Sequence, residues 1–111
     1  MHTIKNFFEV KNLLTVNNQE IIEKLIQGKE FWLERIISTG QVTPEGQWYD
    51  QETNEWVILL KGNAKLLFEE NLEIINLKSG DYLFIPAHKK HRVEFTDPNT
   101  ETIWLAIHYY D

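Results

Sequence analysis

Cysteine is absent from the 111 residues. That excludes a disulfide framework, a thiolate nucleophile, an iron–sulfur cluster and a zinc-finger-type site. It also fits a reducing compartment, so a cytoplasmic protein is expected. Basic residues are in the minority, 11 Lys and Arg against 17 Asp and Glu, giving a formal charge of −6 and a pI near 5.2. Such a balance disfavours a phosphate-backbone binder, and no nucleic-acid partner is expected. No apolar run approaches the roughly 20 residues that span a bilayer, and the opening MHTIKNFFEVKN has no signal-peptide apolar core, so no membrane partner is expected. The five glycines are scattered at turns, with no phosphate-cradling loop. The two serines, Ser38 and Ser79, lack a nucleophile-elbow context.

What is present is a core-forming composition: 42% hydrophobic residues, with four tryptophans, four tyrosines and six phenylalanines. The length suits one ordinary domain and not two. Near the N-terminus, Asn17 fits an N-cap, Glu20 completes a capping box, and Gly28 is a natural stop. Between them Ile21, Ile22, Leu25 and Ile26 recur at helical spacing, which predicts one short helix docked on a sheet. After Gly28 the period becomes 2. Strands are predicted over 30–39, 48–51, 55–61, 64–69, 72–77, 82–85, 91–96 and 101–109, separated by Gly, Pro, Asn and Asp. Short strands at about 8–12-residue spacing mean an antiparallel sandwich or small barrel. The expectation is an all-β domain over 30–111, preceded by an N-terminal extension, 1–29, that carries the helix.

Ionisable residues on apolar strand faces are the informative ones, because a bare buried charge is costly. Alternation puts His91 on one face with Val93 and Phe95, and Glu55 on one face with Val57 and Leu59. Each has a plain structural reading: a hydrogen-bonded core histidine, and a strand-end glutamate in water. Each also has a functional one, in which the buried group needs a partner, a proton or a metal. His108 shares its face with Trp104, Ala106 and Tyr110. The opposite set, Ile103, Leu105, Ile107 and Tyr109, is more apolar, so His108 is expected to point outward or into an interface. Lys89, Lys90 and Arg92, with His88 and His91, form a small basic cluster. A solvated loop accounts for it; attraction of an anion to a barrel mouth is the alternative.

The segments EWVILLKG (55–62) and GDYLFIPAHKKH (80–91) resemble the two motifs of the cupin superfamily, G-x5-H-x-H-x3,4-E-x6-G and G-x5-P-x-G-x2-H-x3-N. The resemblance covers roughly residues 40–96, with the second motif well kept and the first kept in its latter half. It implies a double-stranded β-helix, a jelly-roll barrel, that commonly holds a divalent metal (Mn, Fe, Ni, Zn or Cu). Carried over, the glutamate ligand falls on Glu55 and the later histidine on His91. The H-x-H positions fall on Tyr49 and Gln51 in one register and on Trp48 and Asp50 in the other, none of them histidine. Asp50 or Gln51 would then supply an oxygen, while an inward Trp48 or Tyr49 would favour an organic ligand or a plain core. The family's glycine is His88 here, and its final asparagine is Phe95.

The resemblance implies a small barrel that binds a divalent metal and a small molecule, with metal-dependent chemistry on an oxygen-rich substrate as one outcome. A metal-free binding or sensor module and a solid structural barrel are the alternatives. Trp32, Trp56 and Trp104 cannot all fit inside so small a barrel. A homodimer is therefore expected, through Phe7, Phe8 and the strand at 30–39.

Overall fold

The alternation after Gly28 resolves into strands in the computed structural model, which describes residues 2–10 and 19–111. Eight strands occur among these residues: β1 (Ile21–Gln27), β2 (Phe31–Ser38), β3 (Asn54–Lys61), β4 (Asn63–Phe68), β5 (Glu73–Lys78), β6 (Tyr82–Ile85), β7 (His91–Thr96) and β8 (Thr102–Tyr109). They build a five-stranded sheet in the order β1-β2-β8-β3-β6 and a three-stranded sheet in the order β5-β4-β7. Every strand pairing among the described residues is antiparallel. The inner faces of the two sheets meet in a core that includes Val57, Leu59, Leu66, Phe68, Leu77, Ile85 and Trp104. Among the described residues no helix is long and apolar enough to cross a membrane.

The expected N-terminal helix is replaced by β1, which pairs with β2 from Ile21↔Ile37 to Gln27↔Trp32. A bulge explains the misleading pattern. The register slips between Lys24 and Ile26, so Leu25 is skipped and Ile26 joins the side that Ile21 occupies. A bulged strand thus mimics helical spacing, and pairing with β2 satisfies backbone groups that a one-sided helix would satisfy alone. Asn17 lies outside the described residues. Glu20 caps no helix; its carboxylate accepts a hydrogen bond from Ser38 Oγ at 3.2 Å.

The expected strand at 48–51 is also absent. Only Tyr49 makes a bridge, to His91, while the Gln51 carbonyl is taken by the backbone N–H of His88. The strand expected at 30–39 forms as β2, between β1 and β8 in the five-stranded sheet.

Strand β8 pairs Trp104 with Leu59 and His108 with Glu55, which turns Trp104, Ala106 and His108 inward. Ile103, Leu105 and Ile107 face out. The reading of His108 as an outward residue is therefore corrected. It assumed that the more apolar face is the core face, yet the outer face of this sheet is apolar as well. Part of that face lies beneath the N-terminal segment. Arg35 Nη1 donates to the Phe7 and Glu9 carbonyls at 3.0 and 3.2 Å, and its guanidinium lies 5.7 Å from the Phe7 ring centre. At the β3–β4 turn Gly62 has φ +94°, and a Cβ there would fall 2.8 Å from the Thr102 Cα. Both the left-handed backbone and the close approach require glycine at this motif position.

Candidate functional site

Between the sheets lies a cavity of about 80 Å³. Its apolar wall includes Val57, Leu66, Ile85 and Trp104, and its polar wall includes Glu20, Glu34, Glu55, His91 and His108. Tyr49 and Gln51 also line it, and Tyr49 remains 38% exposed, which puts it at the solvent side.

Glu55 arrives on the inner face of β3 by simple alternation with Val57 and Leu59. It is buried, and its Oε1 has no hydrogen-bond partner. His91, at the start of β7, brings its Nε2 to 3.7 Å from that oxygen. This is too long for a hydrogen bond. His91 Nδ1 lies 2.9 Å from the Lys89 carbonyl, which can only accept, so Nδ1 carries the proton and Nε2 is a bare acceptor. Burial pushes the Glu55 carboxyl up to about 7; the His108 charge opposes this and Glu34 adds to it. Burial also lowers the His91 pKa, against the opposing bond to Lys89. Although the two groups approach like an ion pair, both are driven toward their neutral forms.

The second pair was missed from sequence. His108 Nε2 lies 2.9 Å from Glu34 Oε1, and Thr53 Oγ1 lies 3.5 Å from His108 Nδ1. The imidazole stacks on Trp32 with ring centres 4.8 Å apart, and Trp32 Nε1 donates to Glu34 Oε2 at 3.3 Å. Burial lowers the His108 pKa, but the hydrogen bond to Glu34 and the charges of Glu55 and Glu34 outweigh it, so the net shift is upward. Alternation could have found Glu34, since it lies between Trp32 and Ile36 on one face of β2 just as Glu55 lies beside Val57.

The remaining candidates divide cleanly. Gln51 and Tyr49 reach the cavity, and the Tyr49 ring tilts against His91 at 5.5 Å. Asp50 points elsewhere: it meets His88 Nδ1 at 2.8 Å on the exposed surface, and His88 has φ +64°. Trp48 lies beside the Arg92 guanidinium, with 5.9 Å to its ring centre, and is absent from the cavity wall. Phe95 leaves the His91 face because β7 bulges at Glu94. Val93 pairs with Leu66 but Phe95 with the outward Lys65. The expectation that His91, Val93 and Phe95 share a face is corrected accordingly.

The basic residues at the mouth are all engaged with carboxylates. Lys89 lies 3.7 Å from Glu70, Lys90 3.9 Å from Glu69, and Arg92 2.8 Å from Glu94. They offer little to an incoming anion.

The divalent metal implied by the resemblance can be tested against these donors. Glu55 Oε1 and His91 Nε2 both face the cavity, and a backbone carbonyl on His91 Nδ1 suits a ligating imidazole. The other two motif positions supply Tyr49, whose hydroxyl burial makes harder to ionise, and the neutral Gln51 amide. Among the described residues no group of three His, Cys, Asp or Glu is arranged to hold a metal. A resident transition metal asks for about three protein ligands. The residues present do not fit one.

The chain matches no protein-family profile and no curated protein. Solved structures do match. A protein of Ralstonia eutropha JMP134, provisionally named a mannose-6-phosphate isomerase, is 36% identical over 99% of this chain and 100% of that one, with a TM-score of 0.89. A cupin superfamily protein of Desulfitobacterium hafniense DCB-2 is 21% identical over 88% of this chain and 84% of that one, with a TM-score of 0.72. The polyketide cyclase RemF of Streptomyces resistomycificus is 18% identical over 100% of this chain and 81% of that one, with a TM-score of 0.73. The last two likenesses concern the fold.

Proposed function

Because the chain belongs to the cupin superfamily, we propose that it binds a small molecule inside the barrel and that Glu55 and His91 exchange a proton with it. The observation that carries this reading is Glu55 Oε1, buried, unpartnered and facing a cavity beside a neutral imidazole. A carboxyl titrating near 7 is matched to acid–base work at neutral pH, and the bare His91 Nε2 is a proton acceptor. Proton shifts within one molecule are the chemistry of many isomerases, the class in the provisional name of the Ralstonia relative. The jelly-roll reading of the two sheets and a cytoplasmic setting belong to the same proposal, the latter supported by the cysteine-free composition.

A fragment screen by NMR tests it, read at the indole N–H of Trp104, a residue of the cavity wall. Compounds of a few heavy atoms should shift that signal saturably, and Glu55→Gln and His91→Gln should weaken them while the barrel stays folded. Saturable uptake of Mn, Fe, Ni, Zn or Cu ions by the untagged protein, lost in both variants, would replace this reading with a metal centre.

We also propose that two copies pair through the outer face of the five-stranded sheet, where Phe31, Tyr82 and Phe84 are exposed near a half-buried Trp56. An uncharged apolar patch complements itself, whereas the rest of a −6 surface repels its copy. Sedimentation at micromolar concentration should give twice the 13.2 kDa of one chain; a 13.2 kDa species alone refutes the dimer.

A further inference from the structure

Apart from its two histidines and Tyr49, every ionisable side chain in the cavity wall is a carboxylate: Glu20, Glu34 and Glu55. Among the described residues no lysine or arginine lines the space. His108 is the one cationic candidate, and Glu34 engages it at 2.9 Å. Glu20 receives a hydrogen bond from Ser38 Oγ at 3.2 Å, and Trp104 Nε1 donates to the same hydroxyl at 3.3 Å. Glu55 Oε1 receives none, though its side chain is only 9% exposed. Two carboxylates therefore border the cavity with no counter-charge of their own.

Deepening the reading of this cavity as a small-molecule pocket, we propose that its ligand carries a small organic ammonium group, balanced by Glu20 and Glu55, and that anionic compounds are rejected. An ammonium brings N–H donors only, and the unsatisfied Glu55 oxygen is an acceptor awaiting one. Tyr49 and Trp104 add aromatic residues to the cavity wall, and aromatic rings attract a desolvated cation. A phosphate or carboxylate entering the same space meets like charges in a low dielectric, and the cationic candidate among the described residues, His108, is already held by Glu34. At about 80 Å³ the space admits a group of a few heavy atoms, with any longer portion of the ligand extending past Tyr49.

Burial already raises the pKa values of Glu20 and Glu55, favouring their protonated forms. An arriving cation should therefore expel protons from them. The groups that bear on this exchange are Glu34 from β2, His91 from β7, His108 from β8, and Tyr49.

The test is an NMR titration of the full chain at neutral pH and fixed ionic strength, with ethylammonium, n-propanol, propionate and inorganic phosphate as probes. Ethylammonium should bind saturably at the Trp104 indole, roughly tenfold or more tighter than propanol. Propionate and phosphate should leave that signal in place. Glu55→Gln should remove most of the ethylammonium preference and spare propanol, and Glu20→Gln should do so independently if the first variant folds poorly. Propanol or an anion binding as tightly as ethylammonium overturns the ammonium assignment and leaves the pocket standing. Retention of the preference in both variants overturns it too. If no probe moves the signal, both the assignment and the pocket reading fail.

Discussion

On the wall made by β2 and β8, His108 and Glu34 meet at 2.9 Å; between β3 and β7, Glu55 and His91 stop at 3.7 Å. The two pairs use the same side chains in one cavity, and the difference lies in what holds them. β2 and β8 are neighbours in one sheet, with Trp32 opposite His108 and Glu34 opposite Ala106, so the ladder places the first pair diagonally on one face. β3 and β7 belong to opposite sheets. Their separation is set by side-chain packing across the gap, which leaves room between the polar ends. Contacts within a ladder close; contacts across the layers can be left open for a ligand.

Breaking the closed pair should have the largest effect. Glu34→Ala leaves His108 buried without its partner and should cost about 3–5 kcal/mol, read as a lower urea midpoint at unchanged slope. The open pair should respond in the opposite direction. Folded Glu55 keeps its proton to about pH 7, whereas its ordinary value is 4.5, so between these values the folded state binds more protons. Stability from this group therefore falls as pH rises from about 4.5 to about 7 and is level above. Glu55→Gln removes that fall, and at about pH 8 it should gain on the order of 3 kcal/mol, at about 1.4 kcal/mol per tenfold change in acidity, with almost no gain at about pH 4. Equal pH profiles for the variant and the parent would end the comparison.

A finer measure is imidazole titration by NMR. His108 should titrate above its ordinary 6.5 and His91 below it. The stabilisation from His108 is then complete below 6.5 and lost as pH rises through its folded value. That from His91 runs the other way and is lost as pH falls below 6.5. The smallest effect belongs to Thr53→Val. Its hydroxyl lies 3.5 Å from His108 Nδ1, and losing so long a contact should cost less than about 1 kcal/mol.

The strands were legible where alternation ran between clear stops. β6 and β7 have the bounds expected from Gly80, Pro86 and the turn after Thr96, because nothing in them departs from period 2 until Glu94. Bulges defeat such reading. Skipping Leu25 made a strand look helical, and skipping Glu94 turned Phe95 outward. Glu55 and His91 were readable as a pair because each sits at the end of a strand whose inner face is otherwise apolar. His108 was not, since Ile103, Leu105 and Ile107 are buried or half-buried on the outer face and imitate a core. Glu34 was open to the same alternation, between Trp32 and Ile36, whereas Glu20 precedes β1 and its place at the cavity needed knowledge of which strands are neighbours, which periodicity does not carry.

The raised pKa values between the two sheets also change what the outside world meets. A formal charge of −6 counts Glu55 as ionised and His108 as neutral. In the folded chain at pH 7, Glu55 is pushed toward its protonated form and His108 is pulled toward its charged form. The native protein should therefore migrate toward the anode more slowly than composition dictates, and unfolding at pH 7 should release protons into an unbuffered solution. The long-range field around the molecule is in this way regulated from within, by protons stored beneath its surface.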